Sequence, residues 1–160
     1  MSDSFQINMQ AIESLGTNDP SSQQAKQALQ SKNISSSEML YMRLCKNESL
    51  NSGYFSENQV VASRGQHPSV AHFIVKGMAV AKDTTGNFKL GPGAVIGLAE
   101  GLSQNTYAWD VIAQSSLTTK VIPLDRSLRE IRRLNSGLKG VCRITVMRIL
   151  NLSSAPESLL

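Results

Sequence analysis

The chain has 160 residues, 41% hydrophobic and 18% charged, which gives one domain enough apolar material for a sizeable core and excludes wholesale disorder. The longest apolar-leaning stretch, 141–152, is cut by Arg143 and Arg148 and falls short of the ~20 residues that a membrane span needs. The net charge of +4 resides in 125–151, where seven basic residues meet two acidic ones; such a cluster serves an anionic partner or is a solvated helix face.

The start, MSDSFQINMQ, has neither the basic opening nor the apolar run of a signal peptide. Cys45 and Cys142 form no CxxC pair. A cytoplasmic protein with two reduced thiols is expected. Residues 1–52 predict an N-terminal helical segment. Phe5, Met9, Ile12 and Leu15 follow helical spacing up to Gly16. Asp19-Pro20 opens a second weak helix through Ala25, Ala28 and Leu29. Ser36 or Ser37 opens a third, with Met39, Leu40, Met42 and Leu44.

From Tyr54 to Pro123 the chain predicts strand after strand. Gln59 to Ala62 is short and β-branched. Val70 to Lys76 alternates, with Ala71, Phe73 and Val75 on one side and His72, Ile74 and Lys76 on the other. Met78 to Ala81 and Phe88 to Leu90 flank the turn Asp83-Thr84-Thr85-Gly86. Gly91-Pro92-Gly93 turns into Ala94 to Gly97. Leu98 to Ser103 breaks the pattern as a single helical turn. Tyr107 to Ala113 and Leu117 to Ile122 resume it. The rhythm predicts a mainly β domain, a sandwich or barrel, with flanking helices.

Residues 125–152 predict two C-terminal helices, and 153–160 a tail. Asp125 caps the first helix, through Leu128, Ile131 and Leu134. Asn135-Ser136-Gly137 separates it from the second. That last helix has two apolar stripes. One is Leu138, Cys142, Thr145 and Ile149. The other is Val141, Ile144, Met147 and Leu150. One stripe suffices to cover a core. The second fits the same helix of another copy, hence a homodimer, or a groove in its own domain.

No nucleophile–base constellation, paired-carboxylate signature, Walker loop or metal cluster is present, so no enzymatic activity and no metal site are expected. His67 and His72 lack partners at metal spacing. Cys142, on an apolar face, reads as core.

The ordered series of these residues resembles the cyclic nucleotide-binding domain family, a β-roll (double-stranded β-helix, or jelly roll), over Tyr54 to Ile149. Arg64-Gly65 resembles the family's first turn. His72 to Gly77 resembles its apolar strand ending in glycine. Leu90 to Gly97 resembles its approach to the ligand loop, and Tyr107 to Ala113 the strand that leaves it. The resemblance implies a β-roll over 53–124 with a phosphate-binding cassette at 97–113. It implies ligand contacts from Gly97, Leu98, Ala99, Glu100, Tyr107 and Ala108, with Val75 and Trp109 as pocket walls. The implied ligand is a cyclic nucleotide or another small molecule, held by free N–H groups at the helix start.

The cassette departs from the family pattern. The family's Glu after the glycine is Leu98 here, and its Arg aligns with Tyr107; no arginine occurs between Arg64 and Arg126. Losing two charge-assisted contacts removes roughly 3–6 kcal/mol, or two to four powers of ten in affinity. Lys89, Lys120 and Glu100 are the candidate replacements. Tyr107 and Trp109, two apart, either fill the nucleotide's space or line a pocket for another ligand. Two functions follow: a non-catalytic regulatory sensor with weak or absent cyclic nucleotide binding, or an interaction and dimerisation module that keeps the β-roll without a ligand. An open pocket favours the first; one plugged by Tyr107, Trp109 or Leu98 favours the second. The chain ends about ten residues after the last helix, without the helix-turn-helix of the family's DNA-binding members. No sequence-specific nucleic-acid binding is expected.

Overall fold

The computed structural model describes residues 4–10, 36–44 and 50–160, with Gln23 and Gln27. Most of the two weak helices expected before residue 30, and Cys45, lie outside the described residues. Among the described residues, nine strands form two antiparallel sheets. The first sheet runs, in spatial order, β1 (Phe5–Gln6), β7 (Ala94–Ile96), β4 (Val70–Lys76), β9 (Leu117–Pro123) and β2 (Ser52–Phe55). The second runs β3 (Val60–Ala62), β8 (Asp110–Ala113), β5 (Ala79–Lys82) and β6 (Asn87–Leu90). The helices are α1 (Ser36–Leu44), α2 (Leu98–Ser103), α3 (Leu124–Arg132) and α4 (Ser136–Leu150), followed by a 3-10 turn, Glu157–Leu159.

The first sheet is the middle layer. Ala71, Phe73, Val95 and Ile122 meet Leu98, Leu102, Ile131, Cys142 and Val146 on its helix side. Ile74, Ile96 and Leu117 meet Ala79, Ala81, Leu90 and Val111 between the sheets. The alternation in β4 therefore divides its residues between two cores. Full burial of a Phe73 or an Ile74 contributes about 1.5–3 kcal/mol each. Between β5 and β6, Asp83 closes the turn. Its Oδ1 accepts from the backbone N–H of Thr85 at 2.6 Å and of Gly86 at 2.9 Å.

The structure corrects four local expectations. Phe5 belongs to a strand, paired with Val95, and not to a helix. Phe5 and Ile7 are both buried against the core, and the Ile7 N–H donates to Gly93 O at 2.8 Å. Edge pairing with β7 outweighs the weak helical spacing. The next N–H, of Asn8, donates to the buried Glu38 carboxylate of α1 at 2.6 Å. The strand expected from Tyr107 begins only at Asp110, because the Tyr107 N–H and C=O are bonded to the Gly65–Gln66 turn. Helix α3 starts at Leu124, and Asp125 is exposed in its first turn.

The fourth correction concerns α4. Its buried stripe is Leu138, Cys142, Val146 and Ile149. Thr145 is only half-buried, and its hydroxyl donates to Val141 O at 2.8 Å. Asn135 caps the helix, accepting from the Leu138 N–H at 2.9 Å. The expected tail is tied down: Ser158 Oγ donates to Leu102 O at 2.6 Å, and Leu159 is buried. Among the described residues no helix is long and apolar enough to cross a membrane.

Candidate functional site

The helical turn α2 joins β7 to β8 and starts from Gly97, whose φ of 84° is left-handed. A Cβ at Gly101 would overlap the Leu124 side chain, so α2 lies directly on the start of α3. Leu98, Ala99 and Leu102 pack into the helix-side core. The start of α2 is thereby sealed, and its six residues offer no open anion site.

Tyr107 reaches α2 from the loop that follows it. Its N–H donates to Gln66 O at 2.9 Å, and its C=O accepts from the Gly65 N–H at 2.8 Å. The two bonds fix the backbone and aim the ring between the sheets. Its Oη lies 2.6 Å from where a Cβ on Gly97 would be. Trp109 packs edge-on to Phe88, with ring centroids 4.7 Å apart. These three rings, with Gly97, Ala99, Glu100, Ser4 and Ile149 among the other wall residues, surround a cavity of about 20 Å³. That is room for little more than one water molecule.

The cavity's charge is acidic. Glu100 is 6% exposed, and burial raises its carboxyl above the usual carboxylate range. Burial also pushes the Tyr107 hydroxyl up to about 12, with the Glu100 charge adding to the effect. Among the described residues no basic side chain lines the cavity. Lys89 instead lines a shallow hollow of about 360 Å³ on the outer face of the second sheet. Lys120 Nζ donates to Ser52 Oγ at 3.2 Å and Leu50 O at 3.4 Å. Neither replaces a cassette arginine.

Gly97, Ala99, Glu100, Tyr107 and Trp109 thus converge on one cavity. Leu98 and Val75 pack on the helix side of the middle sheet, and Ala108 is exposed. Phe88, Ser4 and Ile149 line the cavity without having been expected there. Phe88 alternates with the exposed Asn87 and Lys89, a signal that could have marked it as inward. Ser4 and Ile149 carry no comparable mark.

On α4, Val141 and Met147 are half-buried, Leu150 packs partly on the helix-side core, and Ile144 is 65% exposed. In the basic cluster, Arg129 pairs with Asp125 at 3.2 Å and Arg133 with Glu130 at 3.1 Å. These exposed pairs contribute little to stability. His72 Nδ1 lies 3.1 Å from Thr119 Oγ1, and burial lowers its pKa. Among the described residues no three His, Cys, Asp or Glu side chains are grouped to hold a metal ion.

No family profile and no curated protein sequence matches the chain. Solved structures do match. A protein of a cyclic-GMP-dependent signalling pathway that regulates bacterial phytopathogenesis aligns at TM-score 0.55 and 16% identity, over 73% of this chain and 94% of that one. The regulatory domain of Toxoplasma gondii PKA with cAMP aligns at TM-score 0.53 and 15% identity, over 69% of this chain and 42% of that one. An EAL enzyme in its cGMP-bound form aligns at TM-score 0.55 and 16% identity over 62% of this chain; the match spans only 28% of the enzyme. At these identities the likeness concerns architecture: the chain has the β-roll fold of cyclic nucleotide-binding regulatory domains.

Proposed function

We propose that this chain is a non-catalytic regulatory module of the cyclic nucleotide-binding type whose cassette does not clamp a cyclic phosphate. One observation carries the reading. Phe88, Tyr107 and Trp109 leave about 20 Å³ at the cassette, with a carboxylate and, among the described residues, no cation on its wall. A cyclic nucleotide is many times larger than that space. Its phosphate would also face Glu100 without a counter-charge, which opposes binding.

Isothermal titration with cAMP and cGMP to millimolar concentration tests this. The expected result is no saturable heat. Micromolar binding of either nucleotide would overturn the reading, since it would require the aromatic side chains to vacate the cavity.

A second reading concerns assembly. Ile144 is 65% exposed at the centre of the stripe Val141, Ile144, Met147 and Leu150. This favours a homodimer formed through α4, with the β-rolls as its two arms. Sedimentation equilibrium across a concentration series tests it; a strict monomer at all concentrations would remove it.

A further inference from the structure

Glu100 lines the cavity, is 6% exposed, and has no ion-pair partner among the described residues. A buried carboxylate is held by a cation, by several N–H donors or by a proton. Its own backbone N–H is a donor to this carboxylate. Three aromatic side chains, Tyr107, Trp109 and Phe88, stand near it in a wall that is otherwise mainly aliphatic. Aromatic side chains beside a carboxylate are the chemistry that receives an ammonium ion.

The space decides the size of that ion. A cavity of about 20 Å³ takes one or two heavy atoms. Ser4, beside β1, and Ile149, from α4, belong to the same wall. A space of this size suits a small free ion.

We propose that this pocket binds a small free cation of the ammonium type, ammonium or methylammonium, with Glu100 as counter-ion and Tyr107 and Trp109 among its walls. The inference rests on the reading of a cassette that does not clamp cyclic phosphate, and it gives that site a ligand of opposite charge. Glu100 neutralises the ion, and the aromatic side chains replace part of its hydration shell.

Trp109 is the chain's single tryptophan, so its emission reports on this cavity. The full chain is titrated with methylammonium chloride against sodium chloride at matched ionic strength, and separately with cAMP. A saturable change in Trp109 emission is expected with methylammonium and not with sodium. Glu100→Gln, with its fold checked by circular dichroism, should weaken the response about 10- to 100-fold. A rise in the wild-type melting temperature that grows with methylammonium, and not with sodium, is the second readout and needs no variant.

No saturable response to methylammonium, an equal response to sodium, or an undiminished response in Glu100→Gln would overturn the inference. If neither methylammonium nor cAMP binds, the cation site falls and the proposed regulatory module stands. If cAMP alone binds, both fall.

Discussion

The Tyr107 hydroxyl occupies the space that a side chain at Gly97 would need, 2.6 Å from an ideal Cβ there. The glycine and the tyrosine are therefore one packing unit. Gly97→Ala adds left-handed strain at φ 84° to the overlap with the ring. It should destabilise the fold by about 2–4 kcal/mol in urea unfolding. Adding Tyr107→Phe removes the oxygen and should recover about 1 kcal/mol of that loss. Strict additivity of the two changes would mean that the residues do not meet.

Glu100 gives stability a definite pH dependence. Its folded pKa is raised above the ordinary 4.5 by burial. The unfolded chain then releases this proton first as pH rises. The contribution to stability is full below 4.5 and is lost as pH rises from there through the folded value. Glu100→Gln should flatten the stability profile over that window. Unfolding midpoints in denaturant from pH 4 to pH 8 measure it, and a variant profile parallel to wild type would count against a desolvated carboxyl.

Ile144→Lys should leave the protomer intact, within about 0.5 kcal/mol, because the side chain is largely exposed. If α4 joins two copies, the same change should weaken the dimer by about 2 kcal/mol, or roughly 30-fold. Sedimentation equilibrium on both proteins checks it. An unchanged dimer constant would move the interface elsewhere.

Cys142 is fully buried, and burial pushes its thiol up to about 12. Little thiolate exists near neutrality, and little of the sulfur is reachable. In a Cys45→Ser background, a disulfide reagent should modify Cys142 only as fast as the protein unfolds. Rapid stoichiometric labelling in native buffer would contradict the packing of α4.

The sequence carried much of this architecture in local form. Glycine and proline punctuation marked most strand ends, and the break at Leu98 to Ser103 coincides with α2. Alternation in β4 separated Phe73 from Ile74 correctly, because each face meets a different core. Other features depend on distant partners. A two-residue strand such as Phe5–Gln6 has no period of its own, and its identity comes from β7. The inward turn of Glu100, and not Leu98, into the cavity depends on how α2 lies against α3. Two apolar stripes were visible in α4, but the choice of Val146 over Thr145 was set by the groove it fills.

The two backbone bonds that fasten Tyr107 to the Gly65–Gln66 turn also set the kinetics of access to the cavity. The loop cannot swing out as a lid without breaking both. Side-chain rotation of Tyr107 and Trp109 inside a fixed frame is then the smaller change that would widen the cavity. Tyr107 is buried, so its rotation is slower than the picosecond-to-nanosecond flips of exposed side chains. Exchange at this site should be gated by ring rotation, and amide exchange at Gly65 and Tyr107 should stay slow while it happens.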